Sequence, residues 1–191
     1  MNGPVTGPRP VEIVALHVSP AHAYEGRPGD GPRPDPVPVA RDHVLVRAGL
    51  GLVGDRYFNH RAHRQAAVTV FAAEALDDLA QRLGLASPPD PLLVRRNIVL
   101  RGFPIDELAA GRDENGTRLD GAVFGLDSGD GEVRFQAYRP ANPCAWMDVV
   151  LAPGAFRALR GHGGVRCVPL DDGRLRLGPA TLTVHTARGP S

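Results

Sequence analysis

Residues 122–138, AVFGLDSGDGEVRFQAY, carry the clearest fold signal in the chain. Residues 122–126 and 132–138 are rich in apolar and aromatic side chains, which is typical of short strands. Between them lies Asp127-Ser128-Gly129-Asp130-Gly131, a run of turn-forming residues. This stretch therefore predicts a β-hairpin.

Strand-like segments recur on both sides of this hairpin. They are residues 11–18, 43–47, 67–71, 92–101, 165–170 and 175–184, the last two forming a predicted closing hairpin through Asp172-Gly173. Residues 72–83 carry one apolar stripe at helical spacing, and Gly84 suits the end of that helix. About eight short strands with one main amphipathic helix and short peripheral helices predict a mainly β protein, an antiparallel barrel or sandwich.

One domain is expected over residues 11–185, because 191 residues suit a single domain. We expect disordered tails at 1–10 and 186–191. Residues 19–38 are too rich in proline and glycine for a helix or a central strand, so they predict a long surface loop.

Composition excludes several kinds of function. All 22 basic residues are Arg, so no Lys is present for a pyridoxal-phosphate Schiff base or a Walker-type phosphate loop. The 21 acidic residues leave a formal net charge of +1, which argues against nucleic acid or a membrane surface as partner. No apolar run is long enough to span a bilayer and no signal peptide is visible, so we expect a cytoplasmic protein with two free thiols.

The two cysteines have different surroundings. Cys144 follows Pro143 in a proline-punctuated loop, and Arg139, five residues earlier, would favour its thiolate if it lies nearby. The alternative is a small buried hydrophobe. Cys167 lies between Val165 and Val168 in a strand pattern, so we expect it in the core.

Two polar clusters are candidate anion sites. If residues 92–101 form one strand, Arg95 and Asn97 share a face and Arg96 points the other way. Arg95 and Asn97 would then hold a phosphate or carboxylate, although an ion pair with Asp is also consistent with the pattern. Gly54, Asp55 and Arg56 suit either an anion-binding turn or an ordinary one.

A metal site made of protein ligands alone is a weaker hypothesis. His60 and His63 are close in sequence, and Asp55 or His162 would complete a set, but the spacing matches no familiar motif. The alternative is solvated surface histidines.

Several short motifs follow one another in an order that resembles the MOSC domain, the C-terminal domain of molybdenum-cofactor sulfurases. They are Gly-Leu-Val-Gly-Asp-Arg (51–56), Ala-Glu-Ala-Leu (73–76), Arg-Arg-Asn-Ile-Val (95–99), Asn-Pro-Cys (142–144), Gly-Gly-Val (163–165) and Leu-x-Leu-Gly (175–178). The resemblance covers about residues 11 to 185 and implies a β-barrel.

The resemblance also implies a cofactor and its ligands. In related proteins the Pro-Cys thiolate ligates molybdenum and an Arg-x-Asn element holds the pterin phosphate of the molybdenum cofactor. These positions correspond here to Cys144, Arg95 and Asn97, with Asn142 in the cysteine motif and Gly54, Asp55, Arg56 and Arg139 as further candidates. A thiolate is a soft, anionic ligand that suits such a metal centre.

Three functions follow as hypotheses. The first is a small molybdenum-dependent oxidoreductase acting on N-hydroxylated or N-oxide compounds. The second is a sulfurtransferase, in which Cys144 carries persulfide sulfur delivered by a separate pyridoxal-phosphate-dependent cysteine desulfurase. The third is a non-catalytic barrel that binds a partner or a small anion. The sequence alone leaves the substrate and the oligomeric state open.

Overall fold

A computed structural model describes residues 7–190 of the chain. The strands are β1 (Arg9–Leu16), β2 (His43–Arg47), β3 (Gly51–Leu52), β4 (Val68–Ala72), β5 (Ile98–Arg101), β6 (Gly111–Arg112), β7 (Arg118–Asp120), β8 (Val123–Asp127), β9 (Glu132–Pro140), β10 (Val165–Pro169), β11 (Gly173–Arg176), β12 (Gly178–Thr186) and β13 (Gly189–Pro190). The helices are α1 (Glu74–Leu83), α2 (Trp146–Val150) and α3 (Ala155–Ala158), with 3-10 turns at Pro28–Asp30, Arg61–Ala66, Pro91–Val94 and Ile105–Leu108.

A closed barrel is the centre of the fold. Its strands follow the order β1-β12-β8-β9-β10-β4-β5, and β5 pairs with β1 to close it. The predicted hairpin is confirmed as β8 and β9, where Phe124 pairs with Phe135 and their rings stack at 5.5 Å between centroids inside the barrel. The prediction of a mainly β barrel is thus confirmed.

One pair of barrel strands is parallel, which the prediction of an antiparallel barrel did not include. β4 and β5 run in the same direction because α1 lies in the connection between them. The apolar stripe of α1 is buried, and Gly84 ends the helix in the left-handed conformation at φ 65°, as predicted. Outside the barrel wall, α1 shares a second apolar cluster with Phe71, Val99 and Trp146.

The predicted strand over residues 92–101 is wrong in its first half. Asp90 accepts a hydrogen bond from the Leu92 amide at 2.8 Å, and Pro91 occupies the first turn, so Pro91–Val94 coil into a 3-10 turn. Arg95 then adopts φ 51° and ends the turn. Arg95 and Asn97 therefore precede β5, and the argument from a shared strand face does not apply.

The predicted closing hairpin is also wrong, because long-range partners decide the pairing. β10 pairs with β9 and β4, while residues 173–184 divide into β11, which pairs with β2, and β12, which pairs with β1 and β8. Gly178, at φ 102°, begins β12 after this division. A hairpin between neighbouring segments is therefore replaced by contacts between distant ones.

Both predicted tails are shorter than expected where the structure describes them. Arg9 and Pro10 already belong to β1, because they pair with Leu182 and Thr181. At the other end, Gly189–Pro190 pairs with β7. The rest of the first predicted tail, residues 1–6, and the final Ser191 lie outside the described residues. Within residues 7–190, no helix has both the length and the apolar character needed to cross a membrane.

Candidate functional site

Cys144 lies at a cavity of about 180 Å³ on one end of the barrel. The loop that carries it runs from the end of β9 to the start of α2, and the Cys144 carbonyl accepts a hydrogen bond from the Met147 amide at 2.9 Å. Cys144 is exposed and unpaired. Its sulfur is therefore available to a molecule that enters the cavity.

Arg96 fixes the shape of the cysteine loop. Its Nε donates to the Gly163 carbonyl at 3.0 Å, and its Nη2 donates to the carbonyls of Ala141 and Asn142, each at 3.2 Å. Burial and then the guanidinium of Arg166 lower the pKa of Arg96 to about 10. Arg96 remains charged at neutral pH, and its charge lies close enough to interact with Cys144.

Gly163 allows the cysteine loop to lie against the start of β10. A Cβ atom at this position would overlap the carbonyl oxygen of Ala141 and approach Pro143 at 3.0 Å. The Ala141 amide also donates to the Gly164 carbonyl at 2.8 Å. The absence of side chains at Gly163 and Gly164 thus lets the backbone of the cysteine loop approach the start of β10 closely.

Two further arginines give the cavity a surplus of positive charge. Arg166, on β10, donates no hydrogen bond to any residue between 7 and 190. Its partial burial, and to a smaller extent the nearby charge of Arg139, lowers the pKa of Arg166. Arg56 stacks on the Tyr57 ring at 4.4 Å and reaches the Ala21 carbonyl at 3.5 Å. The Nε of Arg56 is buried without a partner among the described residues. Such groups favour a negatively charged ligand.

Arg95 also lines the cavity, but its guanidinium is fully engaged. It donates to both carboxylate oxygens of Asp35, at 2.6 and 2.9 Å, and to the Ala21 carbonyl at 3.1 Å. The hydrogen bond from Arg95, together with one from Ser19, lowers the pKa of Asp35 to about 2. The ion pair that the sequence left open as an alternative is therefore present.

Asn97 belongs to a buried network in the wall of the cavity. Its Oδ1 accepts from the amide and hydroxyl of Thr69 at 2.9 and 3.0 Å, and its Nδ2 donates to Asp55 at 3.1 Å and to the His17 carbonyl at 3.2 Å. Asp55 is buried and accepts from the Tyr57 amide at 3.0 Å. Asn97 lines the cavity, but the polar groups of its side chain are already bonded within the protein.

The imidazole of His17 is buried beside the same network. Both ring nitrogens lack a hydrogen-bond partner among residues 7–190. Burial and the charges of Arg95 and Arg56 lower the pKa of His17 to about 4. A neutral imidazole therefore lies under the cavity at physiological pH.

The remaining predicted site residues divide into two groups. Asn142 lines the cavity beside Cys144, whereas Gly54 only allows the turn that positions Asp55 and Arg56, at φ 88°. Arg139 lines a neighbouring cavity of about 780 Å³ and acts on the cysteine cavity through its charge near Arg166. Cys167 is buried in the barrel core, as predicted, and burial raises its pKa.

The histidines of the metal hypothesis do not gather at the thiol. His63 contacts the Tyr57 ring at 4.4 Å and the His60 ring at 4.8 Å between centroids, and neither histidine lines the cysteine cavity. His162 lies 3.9 Å from Asp106. In the described part of the chain, no group of three or more His, Cys, Asp or Glu residues is arranged to hold a metal ion.

Sequence reasoning missed several lining residues. Arg166 sits in a strand pattern that looked purely structural, and Tyr24 comes from the proline-rich loop. Tyr24 stacks on Trp146 at 5.3 Å with an interplanar angle of 14°, and burial raises the pKa of Tyr24 to about 12. No periodic pattern marks these residues, because they meet only through tertiary contacts.

Comparison with known proteins assigns this architecture to a family. The family model for the MOSC domain matches residues 58–181, which is more than half of the chain. The chain belongs to the MOSC domain family. The resemblance found in the short motifs is thereby confirmed, and Cys144, Arg96 and Arg166 all lie inside the matched part of this MOSC domain.

Solved structures share the fold of this MOSC domain at low sequence identity. The YuaD protein from Bacillus subtilis is 14% identical with a TM-score of 0.66, and the match covers 93% of this chain and 97% of that one. YiiM from Geobacillus stearothermophilus is 15% identical with a TM-score of 0.56, covering 91% and 74%. YiiM from Escherichia coli is 15% identical with a TM-score of 0.53, covering 91% and 67%. No curated protein matches the sequence.

Proposed function

We propose that this MOSC protein binds the molybdenum cofactor in the cysteine cavity, with the Cys144 thiolate as the ligand to molybdenum. The observation that carries the proposal is an exposed thiol beside a surplus of half-buried positive charge. MOSC domains are associated with this cofactor in general. The residues fit it, because the unpartnered Arg166 and the orphaned Nε of Arg56 suit a ligand that carries negative charge.

Different residues of the cavity would bind different parts of the cofactor. Cys144 supplies a soft, anionic sulfur ligand, and Arg56 and Arg166 supply charge for the anionic groups of the cofactor. Arg96 keeps the cysteine loop in one conformation through three backbone carbonyls. When bound, the cofactor supplies two-electron redox chemistry, and N-hydroxylated or N-oxide compounds are the proposed substrate class.

Metal and pterin analysis tests this proposal. Protein purified from a host that makes the cofactor should contain molybdenum and release a fluorescent pterin after oxidation. Cys144→Ser should lose the molybdenum, whereas Cys167→Ala, the matched change at the buried thiol, should keep it. Wild-type protein without molybdenum or pterin, and without uptake of added cofactor, contradicts the proposal.

A sulfur carrier is the second candidate, and the exposure of Cys144 favours it. The thiol makes no hydrogen bond with residues 7–190, so it is free to meet a partner protein. The Cys144 thiolate would attack the outer sulfur of a desulfurase persulfide, taking that sulfur as Cys144–SSH while the desulfurase leaves as a thiolate. Because these 191 residues contain no Lys, they cannot form the pyridoxal-phosphate Schiff base, and the desulfurase activity has to come from outside them.

Mass spectrometry distinguishes the carrier from the cofactor protein. Incubation with a cysteine desulfurase, its cofactor and cysteine should add about 32 Da, the mass of one sulfur, to Cys144. Labelling of Cys167 instead, or no labelling, contradicts the carrier. The cytoplasmic location of the protein stays a prediction.

A further inference from the structure

The 19–38 loop covers the cysteine cavity and is held at both ends. The Val18 amide donates to the Val39 carbonyl at 3.0 Å, and His17 forms an isolated bridge with Ala40. Between these anchors the loop is mostly exposed, with one 3-10 turn at Pro28–Asp30. Ser19 and Ala23 are buried and the Arg56 amide donates to the Ser19 carbonyl at 2.8 Å, so the exposed part of the loop that follows them is the part that can move without disturbing the barrel.

The guanidinium of Arg95 finds all of its partners in this loop. Both oxygens of Asp35 and the Ala21 carbonyl accept its hydrogen bonds, and the Tyr24 ring lies 5.3 Å from it. The side chain of Arg95 is 8% exposed and that of Asp35 is 20% exposed. A carboxylate of the protein thus occupies the forked donor site that a phosphate or carboxylate of a ligand would use.

The small size of the cavity agrees with a closed arrangement. Sites for cofactors and drug-sized ligands typically measure about 300–1,000 Å³. The cysteine cavity measures about 180 Å³, and Tyr24 of the loop forms part of its wall. A ligand of cofactor size therefore needs the loop to move.

We propose that the 19–38 loop is a lid, and that Asp35 is an internal competitor for the oxyanion of the ligand. An incoming oxyanion displaces Asp35 from Arg95, and the lid then moves away from the cavity. The proposal rests on the proposed function only in requiring an anionic ligand at this site. With the lid closed, Arg95 is paired with Asp35; with the lid open, Arg95 binds the oxyanion of the ligand. Asp35 thereby regulates the affinity of the protein for that ligand.

The lid is coupled to the cysteine loop through an aromatic stack. Tyr24 stacks on Trp146, two residues after Cys144, and its hydroxyl donates to the Leu93 carbonyl at 2.6 Å. Trp146 is the only tryptophan in the chain. Its fluorescence therefore reports directly on whether the lid is closed.

Titration of the full chain with inorganic pyrophosphate tests the lid. Asp35→Asn removes the competing charge with almost no change in shape. Since the closed lid blocks binding, the apparent affinity falls with the fraction of protein that is open. Asp35→Asn raises the open fraction, so we expect this variant to bind pyrophosphate about tenfold or more tightly than the wild type. The fluorescence of its Trp146 without ligand should resemble that of the pyrophosphate-saturated wild type.

Asp30→Asn is the matched control, because Asp30 lies in the same loop and has no side-chain partner among residues 7–190. It should leave the affinity within about twofold. If Asp35→Asn binds pyrophosphate no more tightly than the wild type, the proposal is overturned, since Asp35 would then only hold Arg95 in place. Absence of pyrophosphate binding in both proteins overturns it as well.

Hydrogen exchange of the wild-type protein gives a test that needs no variant. Pyrophosphate should increase exchange in residues 21–37, whereas protection of these residues contradicts a lid that is displaced. Molybdenum and pterin analysis fails or succeeds independently of these measurements, so the two proposals are separable. If cofactor-loaded protein no longer responds to pyrophosphate, the oxyanion belongs to the cofactor, and a remaining response assigns it to the substrate.

Discussion

Arg96 donates a hydrogen bond of 3.2 Å to the carbonyl of Asn142, two residues before Cys144. The side chain that holds the cysteine loop thus comes from a segment 46 residues earlier in the chain. Since two further carbonyls depend on the same guanidinium, Arg96 acts on Cys144 by positioning its loop.

Replacement of Arg96 should loosen this loop. Arg96→Gln leaves three carbonyls without their donor, so we expect a loss of about 2–3 kcal/mol in the free energy of unfolding. Cys144 should also react with a maleimide at a changed rate, measured under native conditions. Arg174→Gln, at an exposed position on β11, is the control and should alter neither quantity. Unchanged thiol kinetics in Arg96→Gln would contradict the positioning role.

The two thiols should differ sharply in reactivity. A disulfide reagent should titrate one thiol in the folded protein, Cys144, because Cys167 is buried and burial raises its pKa. The second thiol should appear only in denaturant. Cys144→Ser should abolish the native reaction, and Cys167→Ala should leave it intact. Native reaction of both thiols contradicts the assignment of Cys167 to the core.

The unpaired charge of Arg166 should lower the stability of the folded protein while it contributes to anion binding. Its guanidinium has no acceptor in the described structure and faces the charge of Arg139. Arg166→Gln should therefore raise the free energy of unfolding by about 0.5–1 kcal/mol. The same variant should bind pyrophosphate more weakly. A variant that is less stable than the wild type would show that Arg166 is a structural residue.

His17 should make the protein sensitive to mild acid. The unfolded chain takes up this proton near pH 6.5, whereas the folded protein does so only near pH 4. Stability is therefore lost as the pH falls through this window, by about 3 kcal/mol. Urea unfolding at pH 7.5 and pH 4.5 should show a smaller loss for His17→Leu than for the wild type. His43→Leu, at an exposed position on β2, should behave as the wild type.

Gly163 should tolerate no side chain. The Cβ of Gly163→Ala meets the Ala141 carbonyl, so either the cysteine loop or β10 has to shift, at a cost of about 1–3 kcal/mol. Gly29→Ala places its Cβ in open space and should have almost no effect. Thermal unfolding of the two variants, together with native Cys144 reactivity, measures the difference. Equal stability of both variants would contradict the close packing described for Gly163.

The sequence by itself determined the local parts of this protein. Two segments rich in apolar and aromatic residues with a turn between them predicted β8 and β9. The helical stripe with Gly84 predicted α1, and the flanks of Cys167 placed it in the core. The order of short motifs around Pro143 and Cys144 identified the family. The strands, the helix and each short motif are readable because they depend on neighbours within a few residues.

Only the tertiary structure decided the rest. Arg95 and Arg96 are neighbours in sequence, yet the left-handed conformation of Arg95 directs one guanidinium to Asp35 and the other to the cysteine loop. The pairing of β11 with β2 likewise depends on partners more than a hundred residues away. Hydrogen-bond acceptors for a buried charge are set by whichever distant segment packs against it, and no local pattern encodes that choice.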